Sequence, residues 1–509
     1  MRDTTKRIAK NTLALYFRTI ITLCISLYTS RMFLSILGVE DYGIYNVVGG
    51  MVAMFGLVSG GLSNASSRFM TFELGANNLK KLRQTFSTSV IVQALLGVII
   101  FALIEIIGMW YLNHKMVLPP DRLYAAKWVL HCTSITFVFN MMSIPYNALI
   151  IAHEHMKTFA CVSIFESVLK LFIILGLVKI SGDKLILYAI FWMLSSILIR
   201  IINRIYCRKH FSESRFEMKF NKAIFKEMFA YAGWATIGTT SGLFKNQGVN
   251  MVLNLFYGTT VNAARGLAMQ VNNSITAFIN SFTTAVNPQI TKSYAAKDYD
   301  YMLRLIFGSA KFSFFLMMFL SMPVLIETQF LLTLWLKTVP EFTVIFVKLI
   351  IINTLSDILS QQLITAQSAT GKIRNYQLVV GGLQILNLPL SYLALKLGFT
   401  PPITIVISII LSQFSLLARL VMLKKNIKIS IRQFFYKVYL RVGTTFLISL
   451  ILPIFVYLQM SPSWERFLAV GFSCVISCAL MIIVIGCDKK ERGMIIEKAT
   501  QIKNRIFKR

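Results

Sequence analysis

Apolar and polar positions fall along this chain in long blocks of helix length. Crossing a bilayer takes about 20 apolar residues. On that criterion fourteen spans are expected, near 11–36, 43–66, 86–112, 124–152, 158–180, 184–206, 227–256, 261–288, 303–326, 342–368, 375–397, 402–423, 440–459 and 464–486. The seventh and eighth are the most polar. In the eighth, Asn262, Gly266, Met269, Asn273, Thr276, Asn280, Thr283 and Asn287 recur at steps of four and three, which is one face of an α-helix. Such an amide-and-hydroxyl stripe is expected to face water or a polar helix seam, not lipid.

Composition agrees with this pattern. Of 509 residues 56% are hydrophobic and 14% charged, and the mean hydropathy is +0.66. Soluble domains carry roughly 25% charged residues, so the chain reads as an all-α integral membrane protein. The net charge of +31 would suggest nucleic acid in a soluble protein. Here the cations lie between spans and set topology, so no nucleic acid is expected. One side collects Arg2, Lys6, Arg7, Lys80, Lys81, Arg83, Lys157, the basic run at 200–226, Lys292, Arg304, Lys372, Arg374 and the run at 424–441. The other side receives only scattered cations such as Lys115, Arg122, Lys184 and Lys337. The rule that positive loops stay inside then makes both termini cytoplasmic, with an even number of spans.

An internal repeat underlies the topology. A shift of 220 lays Gly38 on Gly258, Ala65 on Ala285, Ser67 on Asn287 and Thr71 on Thr291, and a similar shift lays 150–159 near 366–375. Two parallel six-helix lobes related by a pseudo-two-fold axis, plus two C-terminal helices, are expected. The resulting division is 1–207 for the N-terminal lobe, 208–226 for a linker, 227–425 for the C-terminal lobe, 426–439 for a basic segment, 440–487 for the last two spans and 488–509 for a tail. Residues 427–442 read either as a helix on the anionic inner leaflet or as a solvated linker.

Charges inside spans are costly. Glu166 and Lys170, four apart, read as an intrahelical pair, and Lys311 and Lys348 as cations that snorkel from span ends. Arg18, Lys245 and Arg265 read as lining a cationic cavity, while Arg31 can either line it or snorkel outward. Together they suit an anionic group, since low-dielectric walls focus the field. Gln247, Asn250, Asn273 and Asn280 offer the donors and acceptors that sugar hydroxyls need. Asp357 reads as a partner for one of the cations or as a carrier of a coupling proton. In span two, Gly49, Ala53, Gly56 and Gly60 form a stripe expected to pack closely on another helix. No catalytic constellation emerges. His153, Glu154 and His155 fall in a turn and do not share a helix face, so no metal site is expected. With no GxxxxGK[ST] loop, no built-in ATPase is expected either.

The basic KRIAKNTLALYF start, LGVEDYGIYNVV at span two, PYNALIIAHEHMK after span four and AVNPQITKSYAAKD after span eight resemble polysaccharide flippases. These belong to the multidrug/oligosaccharidyl-lipid/polysaccharide exporter superfamily, whose architecture is MATE/MOP-like. The resemblance implies a multi-pass protein of the bacterial inner membrane, neither an enzyme nor bearing a cofactor. Such a protein flips lipid-linked oligosaccharide, on undecaprenyl pyrophosphate, by alternating access. Arg18, Arg31, Lys245 and Arg265 inherit a headgroup role from their positions in spans one, seven and eight. Proton or sodium coupling is left open. A monomer working beside a polysaccharide polymerase and glycosyltransferases is the implied setting. A cation-coupled multidrug exporter of the same architecture is the alternative, and a membrane glycosyltransferase, polymerase or ligase a third. The basic span charges speak against organic cations, and the short outward loops against an enzyme.

Overall fold

The computed structural model describes residues 2–114, 120–217, 221–336, 339–489 and 491–493. It is helical throughout, with no strand among the described residues. In order the helices are α1 Arg2–Met54, α2 Gly56–Gly75, α3 Leu79–His114, α4 Leu123–Ala152, α5 Met156–Gly176, α6 Lys184–His210, α7 Lys222–Leu243, α8 Val249–Ala295 and α9 Tyr299–Ile326. There follow α10 Thr328–Leu336, α11 Thr343–Thr370, α12 Arg374–Ile385, α13 Asn387–Lys396, α14 Ile403–Ile427, α15 Ile431–Phe434, α16 Leu440–Gln459 and α17 Trp464–Met481. Among the described residues, 11 helical stretches are long and apolar enough to cross a membrane. They coincide with expected spans one, three to six and nine to fourteen. Spans two, seven and eight are helical too; hydroxyls and amides lower the apolarity of seven and eight.

Two expected loops do not interrupt the helical backbone. Residues 37–42 lie inside α1, yet the Phe33 and Tyr45 rings are 5.4 Å apart and both pack edge-on against Tyr188. Twelve residues of straight helix would separate them by about 18 Å, so the chain doubles back between them. Arg265 likewise reaches the backbone oxygen of Asn246, 3.0 Å away, where nineteen residues of straight helix would span about 28 Å. The hairpins between spans one and two and between spans seven and eight are therefore present as sharp reversals.

The chain divides into two compact units. The first comprises Met1–Thr240, Thr284–Asp298 and Ser368–Leu378; the second comprises Ser241–Thr283, Tyr299–Gln367 and Val379–Arg509. In the first unit Met70, Leu82, Phe86, Tyr146 and Leu149 form a buried core. In the second, Met317, Met318, Met322, Phe346 and Leu363 are fully buried, and Arg466 grips Glu327 through two bonds of 2.8 and 2.9 Å. Large apolar side chains such as Leu95, Ile106, Phe172, Leu447 and Phe472 stay exposed on the apolar spans, as lipid-facing residues do. Residues 431–442 form the first turns of a helix that passes through a π-turn at Phe435–Tyr439 into α16.

The repeat is visible in backbone conformation. Asn77 and Lys297, 220 apart, both take positive φ, at 54° and 58°. Each is preceded by the same bonds, Ala76 N to Phe72 O and Ala296 N to Lys292 O, and followed by Asn78 N to Glu73 O and Asp298 N to Ser293 O. Glu154 at φ 62° and Gly371 at φ 74° are 217 apart. Each donates its N–H three residues back, to Ile151 O and Ser368 O. The small-residue stripe of span two is corrected: a Cβ on Gly49, Gly56 or Gly60 would meet nothing within 4 Å. The close approach belongs to the next residue. A Cβ on Gly61 would lie 2.8 Å from Ala232 O and closer still to Thr236 Oγ1.

Candidate functional site

In the second unit a single turn gathers most of the polar span residues. Between α7 and α8 the helix widens into a π-turn, Phe244–Gly248, a distortion that recurs at functional sites. It directs Lys245 at Asp357, near the middle of α11, with Nζ 3.3 Å from Oδ2. Asp357 also accepts from Ser412 Oγ at 2.5 Å and from Asn353 Nδ2 at 3.2 Å. Gln384, Asn387, Ser415 and Arg419 complete the lining of a cavity of about 10 Å³ beside the pair, about one water in size. Asp357 thus partners a cation, the first of the two roles its sequence position allows.

The next turn carries the remaining polar groups. Asn250 donates to Gln247 Oε1 at 2.9 Å, and its own oxygen accepts from Arg265. Arg265 is 4% exposed, and its Nε is buried with no hydrogen-bond partner. It sits on the buried face of α8 with Ala264, Ala268 and Ile275. Asn273 and Asn280 lie on the exposed face of that helix. The amide stripe and Arg265 therefore do not share a surface. Lys245 and Asp357 form one polar pair and Gln247, Asn250 and Arg265 a second polar group on the following turns, while Asn273 and Asn280 lie on the exposed face of α8.

In the first unit, Arg18 lies in a membrane-length stretch of α1 with its guanidinium over the Phe159 ring, 5.2 Å from the centroid. Its Nε is buried and lacks a hydrogen-bond partner. Among the described residues no carboxylate lies within ion-pair reach of Arg18 or Arg265. The side chain of Arg31 lies outside the described residues. Lys170 places its ammonium over Trp192, 5.4 Å from the ring centre. Lys311, expected to snorkel, is instead buried and bonded to both oxygens of Glu491 at 2.8 and 2.7 Å. That carboxylate, 180 residues away, removes the need to reach the headgroups.

Among the described residues the turn after α4 holds the most heavily bonded carboxylate, and reading it as part of a His–Glu–His triplet missed it. Glu154 is 5% exposed. It binds Arg7 Nε at 2.9 Å, Lys292 Nζ at 2.5 Å and Gln289 Nε2 at 2.6 Å, while Asn11 donates to its backbone oxygen at 3.2 Å. The histidines turn elsewhere: His153 to Glu213, and His155 to Tyr206 Oη at 2.8 Å. Burial alone would raise the Glu213 pKa, but its bonds with His153 and its own backbone outweigh that and hold it below the ordinary carboxylate value. His155 is held below the ordinary histidine value by burial, then by the charges of His153, His210 and Lys292. A glutamate between two histidines was the available signal; its positive φ and its partners 138 and 147 residues distant were not.

The family model for "Polysaccharide biosynthesis protein" matches residues 8–294. No curated protein matches the chain. Among solved structures, a multidrug resistance MATE family transporter of the MOP superfamily in an outward-facing conformation is similar at 12% identity and a TM-score of 0.71. That match covers 84% of this chain and 96% of the other. A MATE transporter in a straight conformation matches with the same identity, TM-score and coverage. A MOP superfamily transporter from Pyrococcus furiosus, described as having a binding pocket of reverse polarity, matches at 13% identity and a TM-score of 0.66. There the match covers 83% of this chain and 97% of the other. At such identities these structures establish the fold alone.

Proposed function

The chain belongs to the polysaccharide biosynthesis protein family, and on that premise we propose that it flips lipid-linked oligosaccharides, carried on undecaprenyl pyrophosphate, across the bacterial inner membrane. It is a multi-pass membrane protein with a transporter fold. The finer reading is carried by Arg18 and Arg265, two half-buried or buried guanidinium groups with no carboxylate in reach among the described residues. A helix keeps such a charge inside a membrane protein only at a cost of a few kcal/mol, and an anionic headgroup offsets that cost. A pyrophosphate brings about two negative charges, and an inside-negative potential drives them outward with about 2.3 kcal/mol per charge per 100 mV. The chain's task is then positioning: guanidinium groups hold phosphate while the polyprenyl tail stays in lipid. Alternating access with both termini in the cytoplasm completes the reading, with proton or sodium coupling through Asp357 as its optional part.

Deletion should leave lipid-linked repeat units on the cytoplasmic leaflet, where mass spectrometry would identify the glycan. A normally expressed Arg18→Ala, Arg265→Ala double variant should lose most export; full export by that variant would refute the assignment. Drug export is the competing reading, suggested by the transporters that share this fold. Raised drug resistance on overexpression, with normal polysaccharide after deletion, would favour it.

A further inference from the structure

A second cationic site lies in the first unit, away from the residues assigned above. A cavity of about 500 Å³ opens among the start of α7, the end of α2 and the turn Gly371–Ile373 between α11 and α12. Arg68, Lys372 and Arg374 supply its positive charge, and Glu227 is the one carboxylate on its lining. Both α11 and the α12–α13 stretch are membrane-length and apolar, so their connecting turn marks the boundary between membrane and water.

The repeat shows what this cavity lacks. The shift of 220 carries Arg7 onto Glu227, Asn11 onto Tyr231, Gln289 onto Phe69 and Lys292 onto Phe72; the shift of 217 carries Glu154 onto Gly371. The cavity is thus the repeat's second copy of the Glu154 cluster. In the first copy an internal carboxylate sits on the turn and joins two cations. In the second copy the turn residue is glycine. A Cβ there would approach Arg68 Nη2 to 2.7 Å, so the absent side chain is what lets the guanidinium lie against the backbone. Arg68 donates to Ala369 O at 3.0 Å and stacks on Phe69 and Phe72 at 4.5 and 4.7 Å, while its Nε is buried with no partner. Arg374 lies 5.4 Å from the Trp234 ring centre. Stacked, oriented guanidinium groups with free N–H bonds suit planar or tetrahedral oxyanions.

We propose that this cavity binds the phosphate of an anionic lipid headgroup, which occupies the place that the Glu154 carboxylate fills in the other copy. Three cations against one carboxylate leave the cavity net positive, and its size falls within the usual range of ligand sites. The proposal does not depend on the export reading, because an anionic phospholipid and a polyprenyl pyrophosphate present the same phosphate chemistry.

The test is native mass spectrometry of the detergent-solubilised full chain. It is incubated separately with phosphatidylglycerol and with polyprenyl pyrophosphate, each beside its phosphate-free control, diacylglycerol or polyprenol. Retention of either phosphate lipid over its control is expected, and which one is retained identifies the source. The Lys372→Gln, Arg374→Gln variant changes exposed side chains only and should weaken retention about tenfold, the worth of one lost charge-assisted hydrogen bond. Gly371→Glu, which places a carboxylate where the other copy has one, should abolish it, and Glu227→Gln should strengthen it. Retention no better than the controls, or retention unchanged in both the double variant and Gly371→Glu, would overturn the proposal. An altered flipping rate with unchanged retention would count against it equally, since the site is defined by binding.

Discussion

Among the carboxylates that hold cations in this molecule, Glu154 and Asp357 do so in opposite ways. Glu154 sits in a turn of the first unit, its side chain 1% exposed, with Arg7, Lys292 and Gln289 on its oxygens. Asp357 sits within a helix of the second unit, its side chain 40% exposed, with Lys245 at 3.3 Å and two neutral donors. A buried charge with several charged partners is satisfied in one arrangement only, and removing it strands the others. A carboxylate 40% exposed, with one lysine at 3.3 Å, is partly screened by solvent and can exchange partners at lower cost. The first is built as a fastening and the second as a contact that can be broken and remade.

The largest effect should follow from breaking the fastening. Glu154→Gln leaves Lys292 (side chain 21% exposed) and Arg7 (55% exposed) without their shared counter-charge and should cost about 2–3 kcal/mol, the penalty for stranding a buried charge reduced by the solvent that reaches both cations. Thermal unfolding of the purified protein would register it as a large fall in Tm. A change of only a degree or two would mean that the cluster is hydrated and that the contrast with Asp357 is false. Asp357→Asn should be milder, about 1 kcal/mol, because the pair is partly exposed and Ser412 and Asn353 still reach the amide. Its effect should fall on transport instead. If it unfolds the protein as readily as Glu154→Gln, the two sites are of one kind. A third substitution tests the backbone beneath the contrast. Gly371→Ala forces a Cβ into left-handed backbone at φ 74°, a strain of about 1–2 kcal/mol, and lowers Tm accordingly. Gly371→Glu should recover part of that loss by pairing with Arg68.

The two clusters also differ in how visible they were in the sequence. Lys245 and Asp357 stand out because charges inside apolar helices are rare, and each could be flagged from its own neighbourhood. Their pairing fits the polar stripes around them. Glu154 could not be found that way. It falls among polar residues in a turn, where a carboxylate is ordinary, and its partners come from 143 residues upstream, at Asn11 and beyond, and from α8. Long-range pairing leaves no periodicity. Arg265 shows the same limit from the other side. Its distance along α8 placed it near the amide stripe, but the reversal between spans seven and eight turns it onto the buried face to meet Asn246 and Asn250. The repeat was legible in a handful of small residues and proved clearest where the chain takes positive φ. Backbone turns have survived in both copies while the side chains on them have diverged, so Glu154 and Gly371 share a conformation and no chemistry.

The smallest effect concerns the turn that carries Glu154, and it has a definite sign. Burial, reinforced by His153, His210 and Lys292, holds the folded pKa of His155 below its ordinary value near 6.5. A group depressed in this way favours the folded state fully above 6.5, and its contribution is lost as pH falls through the lower folded value. Protonated His155 would also face Lys292, whose ammonium is bound to Glu154, so acid should loosen the turn that anchors the cluster. Amide protection in residues 153–158, measured relative to the intrinsic exchange rate at each pH, should therefore fall from pH 7.5 to 5, and His155→Gln should flatten that response, since glutamine can still bond Tyr206 without titrating. Glu213, held below the ordinary carboxylate value, responds in a more acidic window, so the two contributions separate along the pH axis. An exchange profile unchanged by His155→Gln would remove His155 as the source of the acid response and refute the coupling of its protonation to the Glu154 turn.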